Sequence, residues 1–194
     1  MNKPDMIGGY QTGILGKPVV RSGPEANSLY FNGVDDGVIL PVNPVAGWDR
    51  FTVEVLFKPV PDGLDEQRFV HFQDTSGNRG LIETRLTPDG NWYLDTYLYN
   101  SSSDSGHTLA DPEKIHPVGQ WFWAALVYDG RSMSHYVNGI EEQKGEIGFG
   151  PMEPGEISIG VRLNQVHWFK GAIQEIRFYP EALLPGKLQR VDAR

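Results

Sequence analysis

Phe169-Lys170-Gly171-Ala172-Ile173-Gln174-Glu175-Ile176-Arg177-Phe178-Tyr179 decides the reading of the chain. It is β-prone throughout, but its apolar residues break phase. Ile173 and Ile176 both belong on an apolar face, yet they stand three apart in a structure whose side chains alternate every two. A β-bulge near Gln174-Glu175 absorbs the odd residue and keeps both inside. Just upstream lies Ile157-Ser158-Ile159-Gly160-Val161-Arg162. Near the front is Leu29-Tyr30-Phe31-Asn32-Gly33-Val34-Asp35-Asp36-Gly37-Val38-Ile39-Leu40-Pro41. Between them sit Gly119-Gln120-Trp121, Tyr128-Asp129-Gly130 and Tyr136-Val137-Asn138-Gly139.

From Ala26 onward, short β-rich runs alternate with turn pairs: Asn32-Gly33, Asp62-Gly63, Ser76-Gly77, Asp89-Gly90, Asp129-Gly130 and Asn138-Gly139. Asn and Asp followed by Gly suit tight turns because these residues tolerate positive φ. Reading each run by twos assigns its faces. Phe51, Val53, Val55 and Phe57 form one apolar face. Trp92, Leu94 and Leu98 look inward, leaving Tyr93, Asp95, Tyr97 and Tyr99 outside. Ile82 and Leu86 take the core side, with Glu83 and Arg85 opposite. Trp121–Tyr128 is apolar on both faces, the mark of a strand covered on each side. Pro185 starts a short helical turn that sets Leu184, Leu188 and Val191 on one side. Residues 1–25, rich in Gly and Pro, form an extension that wraps the domain edge or is partly loose.

The ordered set of signatures resembles the laminin-G-like, concanavalin A-like jelly-roll family, over about Ser28 to Leu188. The resemblance implies an all-β fold, a two-sheet antiparallel jelly-roll sandwich formed by residues 26–194 as one domain. It also implies an extracellular or cell-surface setting, although Met1-Asn2-Lys3-Pro4-Asp5 lacks the apolar stretch of a secretory leader. Relatives often hold a structural calcium between an early loop and the last strand. Asn32, Asp35 and Asp36 would supply oxygens here, with Gln174 where the family carries Asp.

Composition narrows the classes. The chain has 194 residues and a formal net charge of −8, with no cysteine. At this length roughly 70% of the unfolded surface can be buried, so the core needs no metal or disulfide. Without Cys there is no thiolate metal site and no thiol nucleophile. No basic stripe offers phosphates a partner, which argues against nucleic acid. No apolar run is long enough to insert in a membrane.

The outward row is the candidate site. Tyr93, Asp95, Tyr97, Tyr99, Glu83 and Arg85, joined by His71 and Trp123, are expected to share the concave sheet. Sugars lay their C–H faces on aromatic planes and offer hydroxyls to charged groups, so this mixture fits a glycan or glycoconjugate. The same row also reads as side chains that pair across strands and solubilise an exposed sheet. The sequence therefore points first to a non-catalytic carbohydrate-recognition module. A polysaccharide lyase is the alternative, with Arg85 as the cation, His71 or Tyr97 as the base and Gln165-Val166-His167 nearby. A structural or protein-binding domain is the third reading. Glucanase chemistry lacks its E-x-D-x-E strand, since Glu83 is followed at i+2 by Arg85. There is no G-x-S-x-G elbow and no nucleotide loop.

Overall fold

The computed structural model describes residues 5–23 and 26–191. Of the N-terminal extension, residues 1–4 and 24–25 lie outside the described residues, as do 192–194 at the other end. The strands begin with β1 (Met6–Ile7), β2 (Tyr10–Gln11), β3 (Gly13–Leu15), β4 (Val19–Arg21), β5 (Ser28–Asn32) and β6 (Gly37–Leu40). They continue with β7 (Phe51–Pro59), β8 (Glu66–Asp74), β9 (Arg79–Leu86), β10 (Asn91–Asn100), β11 (Ser105–Ala110) and β12 (His116–Pro117). The last are β13 (Phe122–Tyr128), β14 (Ser132–Val137), β15 (Ile140–Glu146), β16 (Gly155–Ile159) and β17 (Lys170–Tyr179).

Two antiparallel sheets stack as a sandwich. The first runs β11-β10-β9-β8-β16-β6-β3, with β12 beside β10; the second runs β15-β14-β13-β7-β17-β5-β4. Phe51, Val53, Val55 and Phe57 of β7 meet Ile82, Trp92, Leu94 and Leu98 of the first sheet in one buried cluster. Phe57 stacks on Phe69 at 4.6 Å and takes the edge of Trp92 at 5.1 Å. Full burial of each such side chain contributes roughly 1.5–3 kcal/mol, so this layer dominates the stability. Polar contacts also join the two sheets: the hydroxyl of Thr96 and Nδ1 of His135 lie 3.0 Å apart, and Lys170 N–H donates to Gln67 Oε1 at 2.7 Å.

Of the three register shifts among the described residues, two set the faces that matter here. In β17 the register slips between Ile173 and Glu175, as the spacing of the isoleucines requires. In β8 it slips between Arg68 and Val70, and Phe69 and Val70 both enter the core. That second slip returns Arg68 and His71 to the same outer face, although they stand three apart.

The early chain serves both sheets. β3 extends the first sheet along β6, and β4 extends the second along β5. The crossing turns at Gly16, whose φ of +61° and close approach to Asp36 leave no room for a Cβ. Asp36 fastens it by accepting the Lys17 N–H at 2.6 Å and the Asn32 N–H at 3.0 Å.

At the far end, residues 180–191 lie over the outer face of the second sheet. Pro185–Lys187 form the expected turn, as a 3-10 helix. Leu188 is the most deeply docked, at 5% exposure, beside Ala125, Val127 and Tyr136, with Ala182 and Leu183 packed against them. Leu184 is 72% exposed and Val191 36%, so Leu184, Leu188 and Val191, expected on one side of the turn, do not pack together. The reason is local: Leu184 and Leu188 are both extended, so a single tight turn cannot align them.

Candidate functional site

The outer face of the first sheet carries a cavity of about 230 Å³. Its walls are Arg68, Arg79, Leu81, Glu83, Arg85, Asp95, Tyr97, Thr108 and Arg162. The β9–β10 register builds its centre: Arg85 faces Tyr93, Glu83 faces Asp95, Leu81 faces Tyr97 and Arg79 faces Tyr99. Two carboxylates directly opposite one another repel. Guanidinium groups offset that repulsion. Arg85 places two nitrogens on Asp95 Oδ2, each at 2.8 Å, and reaches Glu66 at 3.1 Å. Arg68 donates its Nε–H to Glu83 at 2.8 Å and pairs with Glu66 at 2.5 Å.

Burial, and secondarily the charge of Asp95, push the Glu83 carboxyl up to about 7 despite Arg68 and Arg85. Asp95 is also raised by burial, against the pull of Arg85. Both acids are acceptors held in place by arginine forks.

One rim is aromatic. Tyr97 and Tyr99 stack at 6.3 Å with 19° between their planes. The Arg79 guanidinium lies 4.0 Å from the Tyr99 ring centre and 5.8 Å from that of Tyr97. Tyr99 donates its hydroxyl to Asp104 at 2.6 Å. Tyr97 leans across β11 over Gly106, where any side chain would meet the phenol.

The opposite rim is the segment 160–169, clamped to β8. Gly160 N–H donates to the Phe69 carbonyl at 3.0 Å, and Arg68 N–H to the His167 carbonyl at 2.9 Å. His71 holds the middle, its Nδ1 accepting the Leu163 N–H at 3.0 Å. Burial, then the charges of Arg162, Arg79 and Arg68, drive the His71 pKa down to about 3, so the ring stays neutral. Gln165 and His167 adopt positive φ, +60° and +59°, which costs non-glycine residues energy and marks a turn held by its surroundings.

The structure thus brings Glu83, Arg85, Asp95 and Tyr97 together in the cavity. Tyr93 and Tyr99 occupy the same face beside it. His71 is on that face too, but only 1% exposed and beneath the loop, where it holds backbone and cannot act as a base through Nδ1. Trp123 corrects the reading: it lies on β13 in the other sheet, opposite Leu56, with the Arg177 guanidinium 4.9 Å from its ring centre. Arg68, Arg79, Arg162 and Thr108 are lining residues the sequence did not reveal.

The oxygens suggested for calcium do not fit that ion. Asn32 Oδ1 accepts N–H groups of Val34 and Asp35 at 2.9 and 3.1 Å, and Asn32 Nδ2 donates to Asp35 at 2.7 Å. Both oxygens of Asp36 already receive backbone N–H donors. Gln174 lies four residues along β17 from Lys170, the partner of Asn32, and lines a separate apolar cavity with Leu40, Ile157 and Phe178. Among the described residues, no three His, Asp or Glu side chains gather as a metal site. None of the described helices is long and apolar enough to cross a membrane.

No curated protein matches the sequence. Among solved structures, the chain is similar to domain 4 of AbnA, a GH43 extracellular arabinanase from Geobacillus stearothermophilus, in complex with arabinotriose. That likeness has a TM-score of 0.67 at 23% identity, over 93% of this chain and 87% of that one. It is similar also to the heptameric SAP-like pentraxin of Limulus polyphemus, with TM-score 0.65, 17% identity, and 85% and 81% coverage. A third is the CBM40 of the Ruminococcus gnavus IT-sialidase bound to α2,3-sialyllactose, at TM-score 0.58, 15% identity, and 73% and 81% coverage. At these identities the likeness is one of fold. The sequence itself carries the family: residues 29–189 match the laminin-G type model of the concanavalin A-like lectin/glucanase superfamily, and to that superfamily the chain belongs.

Proposed function

We propose that this chain is a carbohydrate-recognition module with no catalytic step of its own, binding a glycan on the open face of the first sheet. The carrying observation is the cavity flanked by the Tyr97–Tyr99 stack, with Glu83, Arg85 and Asp95 on its floor. Its volume, about 230 Å³, falls below the roughly 300–1,000 Å³ typical of drug-sized ligands. It suits one sugar ring or chain end. Tyr97 offers an apolar plane for C–H groups, and the fixed carboxylates and guanidinium groups serve hydroxyls from below. Proteins of the same fold that were solved with arabinotriose and sialyllactose support this reading, as does an extracellular setting for the arabinanase relative. A glycan-array screen of the purified chain tests it. Retention on a defined set of oligosaccharides, lost in Tyr97→Ala, is expected; equal retention by that variant would sink the assignment to this face.

A lyase reading draws on one observation, the Glu83 carboxyl held near neutrality where an acid–base group would work. Against it, Glu83 is tied to Arg68 and His71 to a backbone N–H. Incubation with uronate polymers separates the two readings, since a lyase releases unsaturated products that absorb in the ultraviolet and a binding module releases none.

A further inference from the structure

Four guanidinium groups line one small cavity in a chain whose formal net charge is −8. The positive balance is therefore local to this site. Arg68 and Arg85 are matched by Glu66, Glu83 and Asp95. Arg79 and Arg162 are not: among the described residues neither forms an ion pair with a carboxylate, and the Nε atom of each is buried without a partner. Arg79 makes one long hydrogen bond, 3.4 Å to the Gly77 carbonyl, besides lying over the Tyr99 ring.

Taking even part of a charge out of water with no opposite charge beside it carries a desolvation cost. The cost is visible in Arg162, which burial and the nearby Arg68 and Arg79 make less basic than usual. Yet the fold holds Arg162 there firmly, through a loop clamped to β8 and to His71. A neutral sugar hydroxyl can accept hydrogen bonds from the guanidinium groups but leaves the repulsion between the cations intact. An anionic oxygen pair does both tasks at once, since a guanidinium fork matches a planar or tetrahedral oxyanion in charge and in geometry.

We infer that the ligand of this face is an acidic glycan, whose negatively charged group is received by Arg79 and Arg162 while its ring lies on Tyr97. The inference rests on the glycan reading of the same site and names the chemistry of the sugar. A carboxylate, as in uronates and sialates, and a sulfate ester share that chemistry.

The test is titration calorimetry with paired probes. Uronate and sialylated oligosaccharides are compared with their carboxyl-reduced forms, and sulfated oligosaccharides with their desulfated forms. At least about a tenfold preference for one acidic member is expected, equivalent to roughly 1.4 kcal/mol. The responding pair identifies the anion. Arg162→Gln should abolish that preference, the acidic member losing at least about tenfold more affinity than its neutral counterpart. The melting temperature should not fall, because the substitution removes an unpaired cation. Arg79→Gln should act in the same direction with some loss of the Tyr99 contact. Binding of neutral and acidic members alike, still lost in Tyr97→Ala, would overturn the anion inference and leave the glycan reading standing. Binding that survives Tyr97→Ala would overturn both. An acidic preference that persists in both Arg variants would also overturn the inference, by placing the anion elsewhere.

Discussion

The two outer faces of the sandwich begin alike and end differently. Each carries charged and polar residues over a shared core, and each holds a buried carboxyl pushed upward chiefly by burial, Glu54 on the second sheet and Glu83 on the first. On the second sheet the chain's own tail supplies partners to the polar groups, although Glu54 Oε2 stays buried without one. Thr52 donates to the Glu181 carbonyl at 2.8 Å and accepts the Leu183 N–H at 2.9 Å, and Glu54 accepts the Gln189 N–H at 2.7 Å. Ala125, Val127 and Tyr136 vanish beneath Ala182, Leu183 and Leu188. On the first sheet no segment among the described residues covers the cavity, and two arginine Nε atoms stay unanswered. A face completed by its own chain is structure. The face left incomplete by a rigid frame is the one proposed to receive a glycan.

The sharpest way to break that contrast is to damage the covered face and look for an effect on the open one. Leu188→Ala should cost about 2–3 kcal/mol of stability in chemical denaturation, by the usual range for buried leucine. Glycan affinity at a temperature where the variant is folded should not change. A fall in affinity would mean that the faces are coupled through the core.

Next in size is a pH effect confined to the open face. The folded Glu83 titrates at about 7, above its unfolded value of about 4.3. Between these values the folded protein holds more protons than the unfolded chain, so Glu83 makes stability decline as pH rises through that window. Glu83→Gln should remove that slope, a difference on the order of a few kcal/mol. His71 and His135 act oppositely: folded values of about 3 and about 4 mean that acid favours the unfolded chain below pH 6.5. Unfolding followed from pH 4 to 8 separates the two trends. An unchanged slope in Glu83→Gln would contradict the raised carboxyl.

Tyr97→Ala should reverse the Leu188 result. We expect at least about a tenfold loss of glycan affinity, roughly 1.4 kcal/mol, with the denaturation midpoint nearly unmoved. The smallest effect belongs to Tyr136→Phe. It removes the 2.7 Å hydrogen bond from the phenol to Glu141 at the margin of the covered face. A loss of about 0.5–1.5 kcal/mol in stability, and none in binding, is expected from calorimetry.

Much of this geometry is written in plain alternation. The row Tyr93, Asp95, Tyr97, Tyr99 faces outward because β10 is regular from end to end, and Trp92, Leu94 and Leu98 fill the core as its period demands. Ile173 and Ile176 disclose the β17 bulge because two large apolar residues cannot both be accommodated otherwise. The bulge in β8 stayed hidden. Phe69 and Val70 both point inward, and nothing in a run of mixed residues marks where the phase resets, so Arg68 escaped notice. Arg79 continues the outward face of β9 by two more steps from Leu81 and was legible in principle. Arg162 was not, since its place depends on a loop fixed by His71 across 92 positions of sequence. Trp123 misled for a physical reason: β13 is buried on both sides, and hydrophobicity alone cannot say which sheet a doubly covered strand joins.

The path of residues 13–21 has a practical consequence for handling the protein. That one segment supplies the terminal strand of both layers, along β6 and along β5. Trimming the chain there, or nicking it near Lys17, would bare two neighbouring ladders of unpaired amides and carbonyls together. Open ladders recruit other chains. A shortened preparation should therefore self-associate even where its core is intact.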